Sequence, residues 1–420
     1  LGPRIRGFEI HPAAAAAARR SVRLMLMDAG VAWDTAGALA DIWVAERDFL
    51  LEPPRSATHI VANPPYVRWQ KLPHLLADRY REVLPTVATR GDLAVAFLYR
   101  MQEWADGNSS IAALVSDRWM FAQYGAAFVE DSSARGWYLE VVDERPDAPF
   151  VRQVGAYSSI VRFTRAAPTV TNSDTRAVAR RHHGELLARH GSLAAAGCIV
   201  RVGPALGAGK TFLLGEDAET EVEAELIRPF LAKSDLGEEL VDDATRRVIV
   251  PYDVTGKLID LASWPGFAAW AERHETILRS RSQFEESDRF WRTIDAVPAI
   301  WSATPKLLLP ELSNRPRAVL DTTGSLPAHS IYAIWSGEWP IEVLQRVLNG
   351  GLLTLTAVAE APRLEHGWMR FYKRFIMLTP LPRWNALSEA ERKELASAGV
   401  EFENRFEALF GFRPGEPPIA

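Results

Sequence analysis

The stretch HIVANPPYVRW, residues 59–69, joins a short apolar run to an amide, two prolines and an aromatic ring. A strand cannot continue through Pro64 and Pro65, because each proline lacks a backbone N–H and has a fixed φ. The stretch therefore predicts a buried strand that ends at Asn63 and opens into a stiff loop.

The first 165 residues alternate between short apolar runs and helical stretches. Strands are predicted for RIRGFEI (4–10), ADIWVAE (40–46), ATHIVAN (57–63), SSIAALVS (109–116), WYLEVVDE (137–144) and AYSSIVRFT (156–164). Helices are predicted for PAAAAAARRSVRLMLMDAG (12–30), which begins at a proline and ends at a glycine, and for DLAVAFLYRMQEWA (92–105). This alternation predicts an α/β fold with a mainly parallel sheet covered by helices on both faces.

Composition limits the class of protein. The chain has 420 residues, 48% of them hydrophobic and 24% charged, which suits two or three domains with large cores. It contains no apolar run of about 18 residues, so we expect no membrane span. The single cysteine, Cys198, excludes an internal disulfide framework and indicates a reducing cytoplasm. The net charge of −5 argues against a generally basic surface, but it allows a local basic groove.

The chemically informative residues follow three predicted strands, where ligands of parallel sheets bind. Glu9 ends the first strand and can accept hydrogen bonds from a ribose diol; the alternative is a solvated carboxylate. Asp48 and Phe49 offer an acceptor beside an aromatic face, which suits an adenine amine and ring; the alternative is a helix cap before a core phenylalanine. The third strand ends at Asn63.

The loop that begins at Asn63 carries groups that can bind an amine. Prolines supply no competing N–H, so the Asn63 side-chain oxygen and the Pro64 carbonyl can both accept from one NH2 group. Two acceptors localise the lone pair of a purine amine, while Tyr66 can stack on the ring and set its angle of attack. The alternative is a proline-stiffened turn with a purely structural role.

These motifs resemble the class I S-adenosylmethionine-dependent methyltransferases, and most closely the TaqI-like gamma class of DNA adenine methyltransferases in restriction–modification systems. In order along the chain they are GFEIHP with Glu9, RDFL with Asp48 and Phe49, NPPY at 63–66, DLAVAFLYRM and IAALVSDRWM. The resemblance implies that Glu9, Asp48, Phe49 and Asn63 bind S-adenosylmethionine. It also implies that the NPPY residues, Pro65 among them, form the catalytic motif.

Two points of the resemblance are less direct. Phe150 falls where the family has a second aromatic that stacks on the extruded base, although PFVRQ departs from the usual wording and a core phenylalanine is the alternative. The family's glycine-rich loop should precede GFEIHP by about one helix. We therefore expect that this loop is supplied by further sequence upstream of Leu1 or by a separate chain.

The remainder of the chain resembles the target-recognition domain of the same class, through RVGPALGAGKTFLL, IRPFLAKSDL, VIVPYD, ATPKLLLPEL, VLNGGL and FIMLTPLP. The predicted domains are a catalytic core at 1–165, a linker at 166–189 and a mixed α/β recognition domain at 190–420. GPALGAGKT is not a phosphate-binding P-loop, because Pro204 stands where the first glycine is required. We interpret it as a DNA-facing loop and turn. His182 and His183 lack ligand-spaced partners and predict no metal site.

The sequence thus predicts a cytoplasmic, site-specific DNA adenine methyltransferase that binds double-stranded DNA. A cognate restriction endonuclease, fused or separate, is the expected partner. Two alternatives remain open: a cytosine-N(4) methyltransferase, since the same acceptors can hold a cytosine amine, and a non-catalytic DNA-binding specificity subunit.

Overall fold

A computed structural model describes residues 4–143, 158–166, 175–215, 218–241, 246–362 and 368–418. The chain divides into two compact units, Leu1–Thr169 and Val170–Ala420. The division falls inside the segment 166–189, which the sequence predicts as a linker.

The first unit contains strands and helices interspersed along the chain, as predicted. Its strands are β1 (Gly7–Glu9), β2 (Val44–Glu46), β3 (Ala57–Ala62), β4 (Ala105–Ser116), β5 (Tyr138–Asp143) and β6 (Ser158–Thr164). Its helices are α1 (Pro12–Asp28), α2 (Trp33–Trp43), α3 (His74–Val83), α4 (Leu93–Trp104) and α5 (Gln123–Ala134).

The strands of this unit pair in two groups. β1 and β2 are parallel, with Glu9 opposite Glu46. The other strands form a sheet in the order β3-β4-β6-β5, in which β3 and β4 are parallel and β6 is antiparallel to both of its neighbours. Parallel pairing places the carboxyl ends of β3 and β4 at one edge of the sheet.

Two local predictions were wrong. The run ADIWVAE is not all strand, because buried Ala36, Ala40 and Trp43 continue the helical period of α2 and leave only Val44–Glu46 extended. Both faces of the sheet were expected to be covered, but Val61 in β3 is 83% exposed. One face of β3 is therefore open in the part of the chain that the structure describes.

The core of the first unit lies on both sides of α4. One apolar cluster packs α4 against β4 and β6 through Leu98, Ile111 and Phe163. A second cluster packs the other side of α4 against α3 and contains Leu50, Trp69 and Tyr80. Phe49 borders both clusters, so the turn after β2 is tied to each of them.

The second unit has a core of its own and shorter strands. Its strands are β7 (Cys198–Val202), β8 (Leu213–Leu214), β9 (Ile227–Leu231), β10 (Arg246–Ile249), β11 (Lys306–Pro310), β12 (Leu312–Ser313), β13 (Val319–Asp321), β14 (Leu326–Pro327), β15 (Ile331–Ser336) and β16 (Met369–Arg370). Its helices are α6 (Thr175–His190), α7 (Pro265–Arg273), α8 (Glu275–Arg279), α9 (Ile341–Val347), α10 (Leu353–Glu360), α11 (Lys373–Met377), α12 (Glu389–Ala396) and α13 (Val400–Phe410).

Two sheets, in the orders β14-β9-β10-β8 and β13-β11-β15-β7, organise this unit. Helix α6, which includes most of the predicted linker, packs against α10: Arg180 Nε donates to the Ala359 carbonyl at 2.9 Å. His182 and His183 lie in this helix, and the buried His183 Nδ1 is 3.6 Å from a Glu360 carboxylate oxygen.

The segment 203–212 is a loop and turn, as predicted, and runs into β8 rather than into a helix. Every helix that the structure describes is too short or too polar to span a bilayer.

Arg100 supports the turn after β2. It is 5% exposed, and its Nε and Nη2 donate to the Leu50 carbonyl at 3.1 and 2.6 Å. Arg100→Met should lower the free energy of unfolding by about 2–3 kcal/mol, because a charged donor is lost and a buried carbonyl is left unpaired. Urea unfolding followed by tryptophan fluorescence measures this.

The matched control is Arg162→Met, which breaks the exposed Arg162–Glu140 pair. Its cost should stay below about 1 kcal/mol, since exposed ion pairs contribute little. Equal costs for the two variants would contradict the role given to Arg100.

Candidate active site

Glu9 is the last residue of β1, and Asp48 lies just beyond β2, the parallel neighbour of β1. The chain leaves β1 and β2 at the same edge, and the Arg47 N–H donates to the Glu9 carbonyl at 3.1 Å. Glu9 is partly exposed, and its Oε1 accepts from the His11 N–H at 2.8 Å. Glu9 therefore lies at the end of β1 and Asp48 just beyond β2, at the same edge.

The Asp48 carboxylate is held at both oxygens. Its Oδ1 accepts from the Leu50 N–H at 3.0 Å, and its Oδ2 accepts from the Tyr80 hydroxyl at 2.7 Å. Asp48 nevertheless remains partly exposed. A carboxylate oxygen has more than one lone pair, so Asp48 keeps acceptor capacity on its open side.

Phe49 lies in an aromatic cluster. Its ring centroid is 5.6 Å from Phe8, 5.7 Å from Phe97 and 5.4 Å from Trp104. These contacts come from β1, from the middle of α4 and from its last residue, so they fix the ring from several directions. Phe49 is not fully buried, and it can present apolar surface to a planar ligand beside Asp48.

The NPPY loop begins where β3 ends. Asn63 and Pro65 are exposed, Pro64 is buried and Tyr66 is partly buried. The Val67 N–H donates to the Pro65 carbonyl at 3.0 Å, which closes a tight turn after the prolines. The Asn63 amide is thus free to reach a ligand from a backbone that cannot readily move.

The Tyr66 ring is oriented by its hydroxyl, which donates to the Leu114 carbonyl of β4 at 3.3 Å. Burial, with a smaller contribution from the Asp92 charge, raises the pKa of Tyr66 to about 12. The phenol is therefore neutral at physiological pH and can act through its ring face without adding a charge.

The backbone that follows Tyr66 in the chain is hydrogen-bonded to the residues at the start of α4. The Trp69 N–H donates to the Gly91 carbonyl and the Leu93 N–H donates to the Val67 carbonyl, each at 2.9 Å. Asp92, 4% exposed, caps α4 by accepting from the Ala94 N–H at 3.0 Å. Burial raises the pKa of Asp92, although nearby Arg118 and Arg68 oppose that rise.

Most of the residues chosen from the sequence lie on one unit and around one core. Glu9, Asp48 and Phe49 adjoin each other, while Ala62, the residue before Asn63, borders the same apolar cluster as Phe49. Phe150 lies outside the described residues, so its proposed stacking role stays a prediction.

Sequence reasoning missed Tyr80 and Arg100. Their targets lie 32 and 50 residues away along the chain, at Asp48 and Leu50. The one available signal was an arginine in the otherwise apolar run AVAFLYRM, where burial demands a partner.

The described residues contain no cluster of three or more His, Cys, Asp or Glu side chains suited to a metal. What they do present is a set of acceptors and aromatic faces at the carboxyl ends of parallel strands.

Comparisons with known proteins identify chains similar to this one. Residues 58–133, which include the NPPY loop and α4, match the family model described as Eco57I restriction-modification methylase. The chain is 27% identical to type II methyltransferase M.XhoI of Xanthomonas vasicola, across 100% of this chain and 86% of that protein. It is 28% identical to type II methyltransferase M.PaeR7I of Pseudomonas aeruginosa, across 96% of this chain and 78% of that protein.

The fold also matches a solved structure, that of the type IIL restriction-modification enzyme MmeI in complex with DNA. The TM-score is 0.57 at 12% identity, with 86% of this chain and 55% of MmeI covered. The predicted fold class is thereby confirmed. The predicted resemblance to the gamma-class methyltransferases of restriction–modification systems is confirmed by the family model and the two relatives.

Gly91 allows the close packing behind Tyr66. Its φ is +78°, and a Cβ placed there would lie 2.3 Å from the Tyr124 ring. Gly30 has a similar φ of +85° but open space around it. Gly30→Ala should cost roughly 1–2 kcal/mol of unfolding free energy, the cost of a left-handed residue. Gly91→Ala should cost about 1–3 kcal/mol more, because the methyl group is overpacked.

Chemical denaturation of both variants measures the difference. Adding Tyr124→Ala to each background should reduce the excess cost of Gly91→Ala, because the clashing ring is gone. Identical costs for Gly30→Ala and Gly91→Ala would show that Tyr124 does not confine this segment.

Proposed function

We propose that the protein transfers a methyl group from S-adenosylmethionine to the exocyclic amine of an adenine flipped out of duplex DNA, within a restriction–modification system. The observation that carries the proposal is the NPPY loop at the end of β3, with an exposed amide, a buried proline and an oriented aromatic. The relatives are named type II methyltransferases, which supports the reaction class.

The residues at the β1 and β2 edge fit the adenosine part of the cofactor. Glu9 offers a partly exposed carboxylate for the ribose hydroxyls, and Asp48 offers a firmly held acceptor for the adenine amine. Phe49 supplies an adjacent apolar ring face. These donor and acceptor types match a nucleoside better than they match a metal or a free anion.

The NPPY residues bind and orient the amine. The Asn63 side-chain oxygen and the Pro64 carbonyl accept its hydrogens, which localises the nitrogen lone pair and sets its direction. Tyr66 stacks on the flipped base, and stacking of about 1–3 kcal/mol per base offsets much of the cost of unstacking it from the duplex. The bound cofactor supplies an electrophilic methyl group on a sulfonium.

This scheme needs no covalent enzyme intermediate. Cys198 is buried, and its burial raises the pKa of the thiol to about 11, so a thiolate is scarce at neutral pH. Direct transfer to an oriented nitrogen is the chemistry that the exposed Asn63 serves.

The second unit is proposed to recognise the DNA target. It carries basic side chains over aromatic rings, such as Arg279 over Phe290 at 4.3 Å and Arg370 over Tyr372 at 5.6 Å. Arg281 connects the glycine-rich 203–210 loop to the segment around Arg292, since its Nη1 donates to the Leu206 carbonyl at 3.4 Å and to the Arg292 carbonyl at 2.8 Å. An anchored loop beside basic groups suits phosphate and base contacts. MmeI, which shares this fold, was solved in complex with DNA. A cognate endonuclease is the proposed partner.

The decisive experiment incubates the full natural chain with S-adenosylmethionine and duplex DNA, then identifies the modified nucleoside by mass spectrometry. N6-methyladenine is expected. Asn63→Ala should lower turnover about a hundredfold or more while DNA affinity stays within about tenfold, because the lost acceptor acts on the amine and not on the duplex.

Asn404→Ala, which removes an exposed amide from α13, is the control and should methylate normally. N4-methylcytosine would establish the cytosine alternative. Wild-type DNA binding without any methylation would favour a specificity subunit.

Tyr66 is tested through its ring. Tyr66→Ala should weaken binding to intact duplex more than to duplex mismatched at the target, where flipping is already cheap. Tyr66→Phe should bind both within about threefold of wild type, because it keeps the stacking face. Electrophoretic or fluorescence titrations give the affinities. Equal losses for Tyr66→Ala on both duplexes would exclude stacking as the role of this residue.

A further inference from the structure

Tyr80 is a buried tyrosine whose hydroxyl contacts Asp48, a residue of the proposed cofactor site. It lies in α3, is 3% exposed, and donates its hydroxyl to Asp48 Oδ2 at 2.7 Å. The Leu50 N–H donates to the other oxygen at 3.0 Å. Two donors on opposite oxygens fix the plane of the Asp48 carboxylate, which a single donor would leave able to rotate.

Packing holds the Tyr80 ring in place. Tyr80 belongs to the apolar cluster with Leu50, Trp69 and Leu84, and its ring centroid is 6.2 Å from that of Trp69. Burial and the hydrogen bond to Asp48 raise the pKa of Tyr80, so the hydroxyl stays protonated and remains a donor. A fixed neutral donor obliges the facing Asp48 oxygen to act as an acceptor.

Other hydrogen bonds hold the backbone of the turn around Asp48, so its conformation does not depend on the Tyr80 hydroxyl. The Leu51 and Glu52 N–H groups donate to the Asp48 carbonyl at 3.1 and 3.2 Å. Arg100 holds the Leu50 carbonyl independently. The Tyr80 hydroxyl instead fixes the orientation of the Asp48 carboxylate. This orientation affects ligand recognition more than it affects folding.

We propose that Tyr80 is a positioning residue that aims the Asp48 carboxylate at the adenine amine of the cofactor. This rests on the proposed function, in which Asp48 accepts from that amine. An aimed acceptor discriminates strongly, because a ligand with a carbonyl in place of the amine presents an oxygen at that position, which has no hydrogen to donate to the carboxylate. Tyr80 thus tunes specificity for adenosine without touching the ligand.

The test measures two ligands by calorimetry on the full natural chain. S-adenosylhomocysteine carries the amine, and S-inosylhomocysteine carries a carbonyl in its place. Tyr80→Phe keeps the ring and removes only the hydroxyl. It should weaken S-adenosylhomocysteine about five- to tenfold, the effect of a charged hydrogen bond that is no longer aimed, and leave the weaker S-inosylhomocysteine unchanged.

Two controls sharpen the comparison. Tyr99→Phe removes another partly buried hydroxyl from the same unit, whose ring lies 4.2 Å from the Arg135 guanidinium, and should change neither affinity. On an Asp48→Ala background, Tyr80→Phe should have no further effect, because the side-chain acceptor that its hydroxyl binds is gone.

Unchanged S-adenosylhomocysteine binding by Tyr80→Phe would overturn the inference, and so would equal weakening of both ligands, which indicates a purely structural role. If the wild-type chain binds neither ligand, the proposed cofactor site itself is wrong and the inference falls with it. Wild-type preference for the amine together with an unaffected Tyr80→Phe variant refutes only the role of Tyr80.

Discussion

The architecture of the first unit depends on how β3 ends. Backbone pairing with β4 continues to Ala62 and then stops, because Pro64 and Pro65 have no N–H to contribute. The chain is forced to leave the sheet at its carboxyl edge, with Asn63 exposed and Pro64 buried. The return segment, 67–69, is then fastened to 91–93 by backbone hydrogen bonds, which also set the start of α4. A local loss of donors thereby creates an exposed polar loop on a rigid base.

Helix α4 connects this loop to the second group of site residues. One end of it contacts Phe8 and Phe49 through Trp104, and its buried Arg100 holds the turn that follows Asp48. The same helix packs between two apolar clusters. Side chains that are proposed to bind the cofactor and the target base are therefore mounted on one shared core, as an orientation-dependent reaction requires.

The second unit has its own apolar core and fastens its loops by buried polar contacts. Lys306 and Asp321 form a 2.7 Å ion pair with both side chains 0% exposed, at the paired ends of β11 and β13. Removing either partner of such a pair leaves an uncompensated buried charge, so the two strands are held in one register. Arg281 connects the 203–210 loop to the segment around Arg292 through the Leu206 and Arg292 carbonyls. Strands and loops held in this way are compatible with the DNA-recognition role proposed for this unit.

The sequence by itself determined the alternation of elements, the end of β3 and the residue types at the strand ends. These depend on local physics: proline geometry, apolar period and the donors or acceptors that each side chain owns. It misassigned Ala40–Trp43 as strand because a short apolar run fits either period until burial selects one. The tertiary structure alone decided that Tyr80 and Arg100 meet the turn at Asp48 and Leu50, contacts that span 32 and 50 residues. Such contacts arise only when α3 and α4 pack together, and no local pattern encodes which buried donor will face which acceptor.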